Sequence, residues 1–380
     1  KNDSFINLEE NIIITERQET TLEINSSVLS NAGTIDNKIK TNQDSYAIAE
    51  RIFGDKFYVY SVFDGHGQNS NVLSDFISKY ITKYFSDKRN FIKFYNDNIK
   101  NNSNNNSEKS EKELAGESSH MSSSISENDE SDFSSSTIIK NIINTETLKK
   151  LLQYENHKFI KEALKSLDMS INEVNFDLSY CGSTCVLIHI IHNILICSNI
   201  GDSRAVLFSC SSEDRWTNEP LSIDHKPNNP IEKKRILDNG GEIHQYYENG
   251  IPEGPDRVYV KGEPYPGLAL TRSIGDYVGK NVGVISEPEI FVKKIEITSK
   301  VIVIASDGFW DVLLPYDVSR IVSSYFIRQD CDGACKALMK RAMKLWKKND
   351  DERDDITIIV IFLGKSNQKM IDTSKKDKKN

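Results

Sequence analysis

Short apolar segments that run directly into an aspartate recur along this chain, and they constrain its fold more than any other feature. Three of these segments lead into Asp64, Asp202 and Asp307, and a fourth begins just after Asp354. Continuous apolar runs of this length predict strands that are buried on both faces. Carboxylates at the ends of such strands can converge at one edge of a sheet, and we expect these four to do so.

The rest of the pattern is that of an α+β protein. Helical spacing of apolar residues predicts helices at about 73–84, 148–164, 317–326 and 333–347. The turn-rich stretch 224–267 predicts an irregular flap. Because strands fall in adjacent pairs with helices grouped between them, we expect a layered α+β domain. The predicted strands are 44–50, 56–63, 183–190, 193–200, 203–208, 300–306 and 355–363.

The domain is interrupted by a segment of different composition. About half of residues 101–137 are Ser or Asn, and aromatic residues are almost absent there. Such a segment buries too little apolar area to offset the entropy of ordering. We therefore predict a single domain over 1–363, a disordered insertion at about 96–140, and a flexible polar tail at 364–380.

Charge and composition exclude some classes of function. The 380 residues carry a formal net charge of −8, which disfavours nucleic acid as a partner because phosphate-backbone affinity comes from clustered Lys and Arg. No run of about eighteen apolar residues is present, so no membrane span is expected. Six cysteines without a zinc-type spacing predict reduced thiols in a cytoplasmic or nuclear protein. We expect a monomer. A leader or lipid anchor upstream of Lys1 stays open.

Clustered carboxylates require neutralisation. Four aspartates brought together repel one another and resist ionisation unless cations are bound. Oxygen ligands suit the hard ions Mg²⁺ and Mn²⁺. Each element alone also has an ordinary explanation, since Asp-Gly is a common hairpin turn. His66, two residues after Asp64, is ambiguous by itself. The four elements together favour a metal site.

These residues fall within six motifs that resemble, in the same order, the successive motifs of the protein phosphatase 2C family. The resemblance spans about residues 37–363 apart from the insertion. It implies a four-layer α-β-β-α sandwich, in which helices flank two central antiparallel sheets, and metal-dependent hydrolysis of phosphoserine and phosphothreonine in proteins. The motifs are Asp64-Gly65-His66-Gly67, Asn199-Ile200-Gly201-Asp202-Ser203-Arg204-Ala205, Asp224-His225-Lys226-Pro227, Leu270-Thr271-Arg272-Ser273-Ile274-Gly275-Asp276, Ser306-Asp307-Gly308-Phe309-Trp310-Asp311 and Arg353-Asp354-Asp355.

The resemblance also implies roles for individual residues around two Mn²⁺ or Mg²⁺ ions, with a third, weaker ion beside them. His66 is implied to be the general acid that protonates the departing Ser or Thr oxygen, while a water bridging the two ions attacks phosphorus. The implied metal contacts are Asp64 bridging both ions, the Gly65 carbonyl on one, Asp307 and Asp354 on the other, Asp202 with Asp307 on the third, and Asp44, beside Gln43, through water.

Two positions depart from the family pattern. Gln43 stands where many members have Glu, which removes one negative charge near the metals. Ile39 stands where many members have the arginine that grips the substrate phosphate, and the neighbouring Lys40 is the candidate replacement. Lys40 would act as a point charge without the bidentate geometry of a guanidinium.

Two other classes of function are compatible with parts of the pattern. A pseudophosphatase or docking regulator with the same fold would not need the motif residues, but Asp64, His66, Asp202, Asp307 and Asp354 are all present. A two-metal nuclease would need a basic stripe for its substrate, and the sequence shows none. A phosphatase acting on phosphoproteins is therefore the primary hypothesis.

Overall fold

Antiparallel strands form most of the ordered chain. The computed structural model describes residues 22–54, 57–100, 145–171, 177–347 and 352–365. In these ranges the strands are β1 (Leu22–Asn31), β2 (Thr34–Ile35), β3 (Lys38–Ile39), β4 (Asp44–Ala49), β5 (Phe57–His66), β6 (Gly182–Ser183), β7 (Cys185–Ile191), β8 (Ile194–Ile200), β9 (Arg204–Cys210), β10 (Trp216–Pro220), β11 (Gly241–Glu248), β12 (Ile251–Val260), β13 (Pro266–Leu268), β14 (Ile274–Gly275), β15 (Glu289–Lys294), β16 (Ser299–Ala305) and β17 (Ile356–Lys365).

Helices connect and cover these strands. A 3₁₀ turn spans Ile52–Gly54, and a π-helical segment, Tyr95–Lys100, follows the second helix. Within the described ranges, no helix has the length and apolar character needed to cross a membrane. The α-helices are α1 (Ser70–Ser86), α2 (Lys88–Phe94), α3 (Thr145–Gln153), α4 (Lys158–Ser170), α5 (Pro230–Asp238), α6 (Tyr277–Lys280), α7 (Asp307–Trp310), α8 (Pro315–Ile327) and α9 (Cys331–Trp346).

Two antiparallel sheets pack face to face. One has the strand order β1-β17-β16-β9-β10, and the other has the order β14-β6-β5-β7-β8-β15, with β4 also paired to β5. Helices α1 to α4 share a core with the outer face of the second sheet, and helices α7 to α9 share another with the outer face of the first. The predicted four-layer α-β-β-α sandwich is confirmed.

Strand β5 shows why the central strands are apolar on both faces. Phe57, Val59 and Phe63 pack toward the helices, whereas Tyr58, Tyr60 and Val62 pack into the interior between the two sheets. This alternation follows from the two-residue period of a strand. Because burial of one large apolar side chain contributes roughly 1.5–3 kcal/mol, each face holds the strand firmly in register.

Most predicted elements are present, and the structure adds others. The turn-rich stretch is not irregular, because β11, β12 and β13 form a three-stranded sheet there. Strand β1 was not predicted from the sequence. The chain is helical through Lys100 and extended through Lys365, slightly beyond the predicted bounds of the domain. The rest of the predicted insertion and tail lies outside the described residues.

Candidate metal and active site

The predicted carboxylates meet at one edge of the sandwich. Asp44 begins β4 and Asp64 lies near the end of β5, and the two residues pair directly across these antiparallel strands. On the facing sheet, Asp307 follows β16, and Asp354 precedes β17. Asp202 lies in the tight turn between β8 and β9. The folded chain therefore gathers carboxylates from five distant parts of the sequence.

Asp64 and Asp307 are close enough to perturb one another strongly. Burial, followed by the charges of Asp307, Asp44, Asp354 and Asp202, raises the pKa of Asp64 well above its ordinary range. The pKa of Asp307 is raised well above its ordinary range by burial, with contributions from Asp202 and Asp354. The two carboxyl groups thus interact directly, and without a cation their mutual repulsion opposes ionisation of both.

Only one of the two carboxylate oxygens of Asp44 has a hydrogen-bond partner. Its Oδ2 accepts a hydrogen bond from the Ser306 hydroxyl at 2.8 Å, while its Oδ1 is buried with no hydrogen-bond partner in the structure. Burial raises the pKa of Asp44 to about 7, and the charges of Asp355 and Asp354 add to the rise. A buried carboxylate oxygen without a partner costs free energy unless it meets a donor, a water or a cation.

These observations fit hard divalent cations. The donors are carboxylate oxygens, they raise one another's pKa values, and one buried oxygen lacks a partner. Within the described ranges no three His, Cys, Asp or Glu side chains already form a compact ligand set. The carboxylates thus lie at one edge of the sandwich, but their oxygens do not surround one common metal position.

Gly65 occupies a position that only glycine fits. A Cβ atom there would lie 2.6 Å from the Gln43 carbonyl oxygen and 2.9 Å from the Ser70 carbonyl oxygen. The Gly65 N–H donates to the same Gln43 carbonyl at 3.2 Å. The backbone beside Asp64 is therefore packed directly against neighbouring backbone, which fixes where the Gly65 peptide lies.

Gln43 has a structural role that a glutamate would not reproduce. Its amide Nε2 donates to the Gly67 carbonyl at 2.8 Å and also to the Ser70 hydroxyl. A carboxylate at this position has no hydrogen to donate to a carbonyl. The departure from the family pattern thus gains the bond to the Gly67 carbonyl, which holds the loop following His66.

His66 is paired with a buried aspartate. Its Nε2 lies 2.6 Å from Oδ2 of Asp276, which is 1% exposed. Burial alone would lower the pKa of His66, but the charge and hydrogen bond of Asp276 outweigh that effect and raise it. Sequence reasoning gave Asp276 no role, although it closes one of the six motifs and so offered a signal.

Lys40 contacts two aspartates of the last motif. Its Nζ lies 2.8 Å from Oδ2 of Asp355 and 3.1 Å from Oδ1 of Asp354. The Asp355 carboxylate is buried and also accepts from the backbone N–H groups of Gly33 and Gln43. The structure thus places Lys40 beside the carboxylate cluster and gives its ammonium carboxylate partners.

Two further charged residues belong to the cluster and were missed. Lys226 Nζ donates to Asp202 Oδ2 at 2.8 Å, and this charge raises the pKa of Lys226 although burial opposes it. Burial raises the pKa of Asp311, and the charges of Asp202 and Asp354 add to the rise although Lys226 opposes it. Both residues lie in quoted motifs, but their contacts depend on tertiary structure and not on spacing.

The fold and the carboxylate edge together define an α-β-β-α sandwich protein with a candidate metal site. A sequence profile described as "Protein phosphatase 2C" matches residues 82–350. The matched range includes Asp202 and Asp307 and excludes Asp44, Asp64, His66 and Asp354. Because the match covers more than half of the chain, this protein belongs to the protein phosphatase 2C family.

Individual relatives agree with this assignment. Probable protein phosphatase 2C 73 of Oryza sativa subsp. japonica is 34% identical over 58% of this chain and 51% of its own length. Probable protein phosphatase 2C 35 of Arabidopsis thaliana is 25% identical over 89% and 84%. The chain spans about half the length of most of the curated relatives it matches.

Solved structures show the same fold. A serine-threonine phosphatase 2C from Toxoplasma gondii superposes with a TM-score of 0.64 and 19% identity, over 90% of this chain and 95% of that one. A phosphatase from a pathogenic strain of Toxoplasma gondii gives a TM-score of 0.55 at 17% identity, over 92% and 95%. At these identities the likeness concerns the fold alone.

Proposed function

We propose that this protein hydrolyses phosphoserine and phosphothreonine esters of phosphoproteins in a reaction that depends on Mn²⁺ or Mg²⁺. The observation that carries the proposal is the meeting of Asp44, Asp64, Asp202 and Asp307 at the sheet edge that also holds the His66–Asp276 pair. An acidic cluster would repel a phosphate dianion by itself, so the cluster serves this reaction only with cations bound.

The residues that would hold two ions are those at the ends of the facing strands. Asp64 is the proposed bridge, with the Gly65 carbonyl, Asp307 and Asp354 as further ligands, and Asp202 is the proposed ligand of a third, weaker ion. Asp44 is proposed to act through water. When bound, such cations lower the pKa of a water from 15.7 toward about 7 and neutralise charge on phosphate oxygens.

The chain's own residues supply the proton for the leaving group. With Nε2 bonded to Asp276, the His66 ring is held in one orientation and its protonated form is favoured. We assign Nδ1–H of the imidazolium as the donor to the departing Ser or Thr oxygen. Asp276 does not contact the substrate in this scheme, and it acts as a positioning residue for His66.

The direct test is release of phosphate from a phosphothreonine peptide, measured in parallel with EDTA, Mg²⁺ and Mn²⁺. Turnover is expected with either metal and not with EDTA. DNA and RNA serve as control substrates and are expected to stay intact. Absence of turnover under every metal condition would instead favour a docking regulator that retains the fold.

His66→Ala is expected to separate substrates by their leaving groups. General acid catalysis contributes about 10² to 10⁴-fold, so turnover of the phosphothreonine peptide should fall by that range. Turnover of p-nitrophenyl phosphate should fall less than about tenfold, because a nitrophenolate leaves without protonation. Asp276→Asn should show a smaller loss with the same preference. Equal losses on both substrates would contradict the proton-donor role.

Lys40→Ala distinguishes two roles for the ammonium group. Because Lys40 bonds to Asp354 and Asp355, we expect its loss to raise the Mn²⁺ concentration needed for half-maximal activity by about 10 to 100-fold. A phosphate contact would instead appear as a higher KM at saturating metal. The matched control is Lys38→Ala, which removes an exposed lysine nearby. An unchanged metal requirement together with an unchanged KM would exclude both roles.

A further inference from the structure

The solvent face of α9 is basic along most of its length, so the expectation from the sequence that the chain has no basic stripe is wrong. From Lys336 to Lys347 every exposed side chain carries a positive charge. The protein as a whole has a formal net charge of −8, so this concentration of one sign runs against its overall balance. The α9 basic face consists of Lys336, Lys340, Arg341, Lys344 and Lys347.

Most of these charges are not neutralised within the described residues. Lys336 pairs with Asp332 one turn earlier on the same helix. For Lys340, Arg341, Lys344 and Lys347, no ion pair with a described carboxylate is present. Surface cations that serve stability usually alternate with acids at i and i+4 spacing. A run of cations that pair with none of the described carboxylates is better explained by an anionic partner.

The basic face borders a shallow, open cleft. This cleft, of about 560 Å³, lies between the end of α8 and α9, with Tyr325, Gly333 and Ala337 among its lining residues beside the cations. The Asp330 carboxylate near its end is occupied as the N-cap of α9, since it accepts the Gly333 N–H at 2.8 Å. A cleft with a partly apolar lining and cationic walls suits side chains of a bound segment.

The spacing of the lysines identifies the shape of that segment. Lys336, Lys340 and Lys344 follow one another at four-residue intervals, which corresponds to about 6 Å along a helix. Alternate side chains of an extended chain are separated by about 6.6 Å and point the same way. Acidic residues at every second position of an extended segment would therefore meet successive lysines.

The basic face also connects to the site. Trp346, in the last turn of α9, donates from its indole Nε1 to the Gly308 carbonyl at 2.6 Å. Gly308 directly follows Asp307. The end of the basic face that carries Lys344 and Lys347 is thus the end that contacts the carboxylate edge of the sandwich.

We propose that the α9 basic face docks an extended acidic segment of the protein substrate, with carboxylates or phosphates at alternate positions, beside the phosphorylated residue. This inference rests on the proposed function, because the docked segment is taken to belong to a phosphoprotein substrate. Binding to the α9 basic face can nevertheless be measured without turnover. Membranes and nucleic acids are the competing anionic partners. The apolar side chains of Tyr325 and Ala337 beside the cations favour a peptide, whose own side chains can contact them, and the net charge of −8 disfavours nucleic acid.

The test compares two triple charge reversals with the same change in net charge. The first is Lys340→Glu, Arg341→Glu and Lys344→Glu on α9. The control is Lys79→Glu, Lys83→Glu and Lys150→Glu on α1 and α3, in the opposite helix layer. Binding of a fluorescein-labelled peptide with glutamates at alternate positions is followed by anisotropy at low salt. The α9 variant should raise Kd at least about tenfold and the control less than about twofold.

Kinetics separate this inference from the proposed function. On a phosphothreonine peptide flanked by alternate glutamates, the α9 variant should lower kcat/KM about tenfold through KM, with p-nitrophenyl phosphate turnover unchanged. If the unmodified protein showed no phosphatase activity, the proposed function would be wrong. The docking inference would be unaffected, because peptide binding measured by anisotropy does not require turnover.

Three outcomes would overturn the docking inference. The first is equal Kd values for the peptide in both triple variants. The second is a peptide with glutamates in consecutive order binding as tightly as the alternating peptide. The third is phosphatidylserine vesicles binding the unmodified protein through α9 while peptide binding is insensitive to the reversals, which would assign the face to a membrane.

Discussion

Asp64→Asn is expected to abolish metal-dependent phosphatase activity while the protein stays folded. Asp64 lies between Asp44 on the neighbouring strand and Asp307 on the facing sheet, and it is the proposed bridge between two ions. Loss of a shared ligand should lower kcat by more than about 10³-fold. Phosphate release from a phosphothreonine peptide over a Mn²⁺ titration measures the effect.

Thermal unfolding of the same variant gives a second readout. Removal of one charge relieves repulsion, so metal-free Asp64→Asn should unfold at a higher temperature than the metal-free parent protein. The increase in Tm on adding Mn²⁺ should largely disappear, since a ligand stabilises only through binding to the native state. The matched control is Asp75→Asn on the exposed face of α1, which should change neither property. Near-normal turnover of Asp64→Asn at limiting Mn²⁺ would show that the ligand assignment is wrong.

The carboxylate cluster of the metal-free protein is expected to become destabilising as the pH rises from about 4 through about 7. The buried His189 and His225, whose pKa values burial lowers to about 3 and about 4, contribute in the opposite sense, so the cluster's part is the difference between the parent protein and Asp44→Asn. Burial raises the pKa of Asp44 to about 7 from an ordinary value of 3.8, and the pKa values of Asp64 and Asp307 are also raised. A carboxyl group with a raised folded-state pKa is more protonated in the native than in the unfolded state. The stabilisation that this carboxyl group contributes to the folded state is therefore complete below its unfolded-state pKa. It is lost as the pH rises through its folded-state pKa.

The size of the effect follows from the same shift. A rise from 3.8 to about 7 at Asp44 corresponds to on the order of 4 kcal/mol. Urea unfolding between pH 4.5 and 8 in EDTA should show this loss, and Asp44→Asn should flatten the profile. Saturating Mn²⁺ should reverse the trend, because cations bind the ionised carboxylates. Metal-free profiles that are the same for the parent protein and Asp44→Asn would contradict the electrostatic description of the cluster.

The layered fold could be predicted from the sequence because the apolar pattern of each strand matches the burial of its two faces in the structure. Apolar runs such as 301–305 are buried strands, and the alternation in β5 divides its side chains between two cores. Asp64 lies near the end of such a strand, and Asp202 and Asp307 follow two others, so the strand ends that the sequence marks are the ones that meet. The family assignment, made from six motifs in order, is confirmed.

Contacts between distant residues were beyond sequence reasoning. The His66–Asp276 and Lys226–Asp202 pairs are set by how the strands and loops pack, and no spacing along the chain encodes them. Strand β1 was missed because its residues alternate only weakly between buried and exposed positions. The flap was predicted to be irregular because glycine and proline mark turns but do not reveal that β11 and β12 pair between them.

Pairing of β1 with β17 has a consequence for the order in which this protein becomes competent during synthesis. The two strands, Leu22–Asn31 and Ile356–Lys365, lie side by side, and Asp354 immediately precedes the later one. While a nascent chain still lacks residues 352–365, β1 lacks the strand with which it pairs in the sheet, and the carboxylate set is short of one member. Under the proposed function, the ligand set is complete only after residues 352–365 have been synthesised, and a chain truncated before residue 352 is expected to be inactive.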